Sequence, residues 1–281
     1  MVFDAPEILK QIGAQGDGEI NLIDVVFAFA IINSEFIVDI EKYQNHISQL
    51  SEDLNAQFEI LSAKMNSDDV RVQAQALADV FAKSYGYLGD DMNYNDVKNI
   101  NIFQVIDRRL GLPITLSLLA IVICRMQGWG ADGINLPGHF IMRLEKDGER
   151  LMIDPFQGCK VLEAKDLRII LKRVMGPEAE LSANYYDPCA NRDILLRLQN
   201  NLKYRHIDNE NYAEALHIIN QMAWIAPNDY RLSLDKAVLL SRVGQPTEAI
   251  KELEHYINQA TDEADRADAI DFMRQLQSQL N

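Results

Sequence analysis

The sequence predicts an α+β protein, mostly α, with a small antiparallel sheet in mid-chain and helical hairpins after it. Three observations carry the prediction. Apolar residues recur at helical spacing over 4–86 and again from 192 onward. Between these stretches Phe140, Met142 and Leu144 alternate with their neighbours, and Leu151 and Ile153 flank Met152, around an Asp-Gly turn. Finally, Ala215 and Ala249 stand 34 residues apart in similar helical contexts, which marks an internal repeat.

Taken in order, Ile8, Leu9 and Ile12 open a first helix, which stops at the glycine-containing stretch 13–18. Leu22, Val25, Val26, Phe29 and Ile32 then recur at helical spacing, followed by Ile37, Ile40, Tyr43, Ile47, Leu50 and Leu54, as one helix or two. Ser67 or Asp68 is placed to cap a further helix through Leu77, Val80 and Phe81, ended by Gly86 and Gly89. Residues 87–100 are rich in Asn and Asp and read as an ordered loop with turns. A short helix over 102–110 meets Gly111, and Pro113 suits the first turn of the next helix, 114 to about 126. That helix is apolar almost all round, so it should be buried. A hairpin turning at Lys146-Asp147-Gly148-Glu149 follows, then a short strand at Val161-Leu162 and a helix over 164–174. Residues 176–191 carry two prolines and little periodicity, and are read as a linker. The predicted division is 1–175, linker 176–191, and helical repeats 192–281.

The repeat has a small residue early in the second helix of each unit, and Pro227 at the end of one unit. This is the tetratricopeptide pattern, with Gly244 and Leu253 at expected places and the early aromatic missing from both copies. About two and a half units fit. Stacked helix pairs of this kind form a groove suited to a peptide or a partner helix.

Composition bounds the function. The 281 residues hold 27 Lys+Arg against 42 Asp+Glu, a net charge of −15. Such a chain repels phosphate backbones and anionic membrane surfaces, so neither nucleic acid nor membrane is an expected partner. Three cysteines without a CxxC pair argue against a disulfide framework or a zinc site, and for a reducing, cytoplasmic setting. The start, MVFDAPEILKQ, lacks the basic-then-apolar form of a signal peptide, and the apolar runs at 22–32 and 114–124 are too short to span a bilayer. The five histidines show no HxxxH or HExxH spacing, and Asp90, Asp91 and Asp96 lack the Gly and Glu of an EF-hand loop, so no metal and no cofactor is expected.

Three motifs bear chemistry. Gly138-His139-Phe140 opens one strand of the hairpin, Ile153-Asp154-Pro155 closes the other, and Gly111-Leu112-Pro113-Ile114-Thr115-Leu116-Ser117 begins the buried helix. A turn near 147 pairs residues whose numbers sum to about 294, which sets His139 beside Asp154, with one residue of slip deciding the face. A carboxylate beside an imidazole orients the ring and holds one tautomer. A helix N-terminus adds its dipole and free amides. Thr115 and Ser117 are either hydroxyl nucleophiles served by His139 or helix hydroxyls bonded to backbone carbonyls. Arg108 and Arg109 either line a pocket for a carboxylate or offset the acidic loop 90–96. Asn101, Pro113 and Gly138, with Arg109, complete the candidate binding residues.

These motifs together resemble the transglutaminase-like, papain-related core, and more closely its SirB-type branch, in which tetratricopeptide repeats follow that core. YGYLGDDMNY (85–94), RRLGLPITLS (108–117), GINLPGHFIMRL (133–144), IDPFQG (153–158) and ILLRLQNNLKYR (194–205) carry the resemblance, which covers roughly 30–281. It implies a bacterial protein and a site built on a Cys-His-Asp triad, with His139 and Asp154 as its last two members. Aligned through Arg125 and Gly128, the nucleophile position falls near Pro113–Ile114, where no cysteine stands. Cys124 lies deep in the apolar helix and Cys159 sits in a turn, so neither suits a nucleophile. The expected function is therefore a non-catalytic module, either regulatory or binding protein or peptide through the core's cleft or the repeat groove. The rival expectation is a hydrolase or acyl transferase using Thr115 or Ser117 with His139 and Asp154. In a third, the repeats alone act as an adaptor.

Overall fold

The computed structural model describes residues 4–34 and 37–280. By contact density they fall into two units, one running from Ile20 to Leu198, the other joining the residues up to Glu19 with those from Gln199 onward.

Helix α1 (Ala5–Ala14) belongs to the second of these units and is capped by Asp4, whose side chain accepts from Glu7 N. The long apolar stretch resolves into two helices, α2 (Leu22–Ile32) and α3 (Ile40–Met65), each with its own cap at Asn21 and Asp39. Helix α4 (Val70–Leu77) is capped by Asp69, not by Ser67 or Asp68, because Asp69 Oδ1 reaches both Arg71 N (2.9 Å) and Val72 N (3.0 Å). Ser67 instead accepts from Asp69 N. The helix runs on as a π-helical turn, Ala78–Ser84.

The loop that follows contains strand β1 (Leu88–Gly89), which pairs in parallel with β2 (Leu110–Gly111) across helix α5 (Ile102–Arg108). Two-residue strands are invisible to periodicity, so this pair was not expected. Helix α6 (Pro113–Met126) starts with Pro113 in its first turn and is buried from Pro113 to Cys124. It packs against α2 and α3 and against the sheet, the central place its all-round apolarity called for.

The sheet has four strands, not three: β3 (Gly130–Leu136), β4 (His139–Lys146), β5 (Glu149–Asp154) and β6 (Lys160–Leu162), antiparallel in that order. β3 escapes sequence reading because GADGINL is poor in strand formers. Packing requires the glycine at 133: a Cβ there would come within 2.5 Å of the Phe140 ring. Asp147 and Gly148 both take positive φ, as a tight hairpin turn demands. Helix α7 (Ala164–Met175) follows. The next segment returns to the sheet: Cys189 N donates to Gly133 O at 2.8 Å, and Arg125 bonds Ala131 O and the Asn191 side chain, both at 2.7 Å. Asp132 lies between Arg125 and Arg143 and accepts from both.

Helix α8 (Asn191–Asp208) leads into α9 (Tyr212–Ile225), α10 (Arg231–Arg242), α11 (Pro246–Gln259) and α12 (Glu263–Leu280). Ala215 and Ala249 are the fourth residues of α9 and α11, and both are fully buried, which lets neighbouring helices approach closely. α1 packs on α9, with the Lys10 ammonium over the Trp224 ring. A Cβ on Gly13 would meet Trp224 O at 2.4 Å. No helix among the described residues is long and apolar enough to cross a membrane.

Candidate functional site

The site is built where β4 begins and β5 ends. Leu136 pairs with His139 across a two-residue turn, and Gly138 takes φ +71° there. Between β4 and β5, Met142 lies opposite Ile153 and Lys146 opposite Glu149, so paired numbers sum to 295. That is one more than the turn position alone indicated, and the difference sets the face. Continued by one pair, the register puts Asp154 opposite Ile141, on the side of the sheet that also carries His139. A sum of 294 would put the two side chains on opposite faces.

His139 Nε2 lies 2.9 Å from Asp154 Oδ2. Asp154 is wholly buried, yet its carboxylate is satisfied: Oδ2 also accepts from Gln157 Nε2 and Oδ1 from Phe156 N, each at 3.0 Å. An ionised carboxylate only accepts, so Nε2 carries a ring proton, and in the neutral ring Nδ1 presents its lone pair. Nδ1 has no hydrogen-bond partner among the described residues, and the imidazole is 15% exposed. The Phe156 ring meets His139 edge-on at 6.1 Å and Tyr94 at 6.0 Å. Gly89 lies against the same ring, so closely that a Cβ there would come within 2.5 Å of it. From α8, Arg197 donates to the His139 carbonyl (3.1 Å) and sits over the Phe140 ring at 5.3 Å. Burial pulls the Arg197 pKa below its ordinary value. Sequence reasoning did not single out Phe156, Gln157, Tyr94 or Arg197, although all lie within the motifs quoted above.

The start of α6 is organised around Asn99. Thr115 Oγ1 donates to Asn99 O at 2.9 Å, and Leu112 N to the same oxygen at 3.1 Å. Ser117 Oγ is sealed in the interior without a partner. Pro113 occupies the first turn, and no side chain caps the helix at Leu112. Asn101 caps α5, accepting from Phe103 N and Gln104 N. Arg108 reaches Asn99 Oδ1 (3.0 Å) and Asp90 Oδ2 (2.7 Å). Burial pushes the Asp90 carboxyl up, but its bonds to Asn93 N and Arg108 outweigh this and hold it below the ordinary value. Arg109 turns elsewhere, to His46 and Tyr87.

The structure thus brings His139, Asp154 and Gly138 together, and gives Thr115, Asn101 and Arg109 other partners. Cys124 and Cys159 are buried, and burial pushes both thiols up, away from the reactive thiolate. Cys189 is half-buried, its thiol raised first by burial and then by Asp193. Among the described residues no cluster of His, Cys, Asp or Glu is arranged to hold a metal ion. Chemically, the dyad offers a fixed imidazole that accepts a hydrogen bond, or a proton, at Nδ1.

A family model described as the transglutaminase-like superfamily matches residues 41–200, and one described as a tetratricopeptide repeat matches residues 202–276. A UPF0162 protein of Xylella fastidiosa strain Temecula1 is 31% identical over 175 residues, 61% of this chain and 62% of that protein. A UPF0162 protein of Vibrio cholerae is 26% identical over 196 residues, 69% of this chain and 72% of that one. The F-box only protein 21 of Mus musculus is 32% identical over 91 residues, 31% of this chain and 14% of that one. The chain spans about three fifths of the length of the Xylella relatives it matches. No solved structure matches it.

Proposed function

Since the chain belongs to the transglutaminase-like superfamily, in its SirB-type branch with tetratricopeptide repeats, we propose that it is a non-catalytic module of the bacterial cytoplasm that binds a protein or peptide segment. The observation that carries this reading is the surroundings of the dyad. Asp154 fixes His139, yet Nδ1 faces no thiol or hydroxyl within hydrogen-bond reach among the described residues. Catalysis by a nucleophile needs that partner at about 3 Å, with some looseness before substrate binds. A lone pair held in place by a buried carboxylate, on a ring packed against Phe156, suits a backbone N–H or a side-chain hydroxyl of a bound segment. In the repeats, 192–281 in the division proposed here, the stacked pairs supply a second surface suited to a partner helix.

The hydrolase or acyl-transferase alternative has Ser117 as its candidate, whose hydroxyl is unpartnered but sealed in the interior, on the helix that opens at Pro113. The two readings separate in one experiment. The full chain is incubated with a defined mixture of peptides, binding is followed at the His139 imidazole by NMR, and the peptides are then weighed by mass spectrometry. The proposal expects saturable shifts at His139 and unchanged peptide masses. Cleaved or acylated peptides that disappear with His139→Ala would establish the alternative, and peptides that leave His139 unshifted would remove both.

A further inference from the structure

Two adjacent arginines end α5, and the structure treats them differently. Arg108 is ion-paired with Asp90 and bonded to Asn99. Arg109, in a left-handed backbone conformation (φ +62°), points toward α3. Its Nη1 bonds His46 Nε2 at 2.6 Å and donates to the Tyr87 hydroxyl. The guanidinium lies over the rings of Tyr87 (4.8 Å) and Tyr85 (5.6 Å).

No carboxylate stands within ion-pairing distance of Arg109 among the described residues. The acids nearby are engaged by other donors. Asp107 accepts from Lys42 Nζ (2.7 Å) and the Tyr43 hydroxyl (2.8 Å). Asp53 accepts from the Tyr85 hydroxyl (2.6 Å) and from Gln49 (2.9 Å). The Arg109 Nε and Nη2 are unpartnered and are not sealed from solvent. His46 Nε2 faces a guanidinium N–H and so accepts, which leaves the proton on Nδ1, also without a partner. Burial, and then the Arg109 charge, push the His46 pKa down to about 4, so the ring is neutral at pH 7. The result is a half-buried cation, stacked and fixed along one edge, with a planar pair of donors on the other.

We propose that Arg109, held in place by His46 and Tyr87, forms a receptor for a carboxylate group, built of residues other than the His139–Asp154 dyad. The guanidinium fork matches a planar carboxylate through two parallel hydrogen bonds, and stacking on two rings fixes its orientation in advance. One negative charge suits the place better than two, because Asp107 acts electrostatically on both His46 and Arg109. The carboxylate comes either from a small organic acid or from the C-terminus of a peptide.

The test is an NMR titration of the full chain, read at the His46 imidazole and the Arg109 Nε–H. The probes are sodium acetate, a short peptide with a free C-terminus, its amidated twin and inorganic phosphate, with sodium chloride as the ionic-strength control. The expected result is saturable shifts at both groups with acetate, weaker binding of phosphate, and at least a tenfold loss in Arg109→Gln. Tighter binding of the free peptide that amidation abolishes identifies a chain terminus as the source, and equal binding of acetate and peptide identifies a small acid. Shifts no larger than with chloride, tighter binding of phosphate than of acetate, or full binding by folded Arg109→Gln would overturn the proposal. If Arg109→Gln does not fold, Arg109→Lys serves: it keeps the charge, loses the fork, and is expected to bind several-fold more weakly. Undiminished binding by Arg109→Lys would then overturn it.

Discussion

Replacing Asp154 by alanine removes a fully buried carboxylate that accepts from three donors, Phe156 N, Gln157 Nε2 and His139 Nε2. Gln157 can turn to water, but the Phe156 amide is buried and the His139 ring nearly so. Leaving two such donors unpaired costs about 1–3 kcal/mol each, the Phe156 N bond being also the cap of the 155–157 turn. The expected destabilisation of Asp154→Ala is about 2–6 kcal/mol. Asp154→Asn keeps an oxygen for Phe156 N and sets an amide N–H against His139, so Nε2 must become the acceptor. It should cost about 1–2 kcal/mol and reverse the ring's tautomer. Urea unfolding followed by circular dichroism and tryptophan fluorescence gives both values, and the ¹⁵N shifts of the His139 ring give the tautomer. A loss below about 1 kcal/mol in Asp154→Ala, or an unchanged tautomer in Asp154→Asn, would refute the view that this carboxylate fixes the imidazole.

Three further outcomes are expected. Ser117→Ala removes a buried hydroxyl that has no partner, so it should stabilise the protein by about 1 kcal/mol, whereas Thr115→Val, which cuts the bond to Asn99 O, should cost about as much; urea midpoints decide both. Gly138→Ala forces a Cβ to within 2.4 Å of Val174 Cγ2 at φ +71° and should cost about 2 kcal/mol; adding Val174→Ala should recover the steric share and leave the backbone share. His46 has a folded pKa of about 4 against 6.5 in the unfolded chain, so as pH falls the unfolded state takes up its proton first. The contribution is fully present above pH 6.5 and erodes toward pH 4. After allowance for the half-exposed ring, the wild type should lose about 1 kcal/mol more than His46→Gln between pH 7.5 and 5, as measured by urea unfolding at each pH.

Where one physical signal dominates, the fold is legible in the sequence. The buried helix α6 shows as an apolar run behind Pro113, the β4–β5 turn as Asp147-Gly148, and the repeat as two alanines in register. What escaped is held by tertiary contact. β3 is a strand because Gly133 fits under Phe140 and Arg125 bonds Ala131 O, not because its residues favour strands. β1 and β2 are too short for any period. In the site, the neighbourhood of His139 and Asp154 could be read, but their shared face depended on one residue of register that a turn motif does not resolve. The division of labour between Arg108 and Arg109 could not be read at all. It follows from the left-handed backbone at Arg109, which sends one side chain to Asp90 and the other to His46.

We propose that Asp154 holds His139 ready with no nucleophile within its reach among the described residues. This is tested most directly by exposing the folded chain to an activated acyl ester, weighing the intact protein, and repeating the measurement with His139→Ala. The account predicts that no stoichiometric adduct depends on His139. One acyl group per chain on Thr115 or Ser117, lost in His139→Ala, would contradict it.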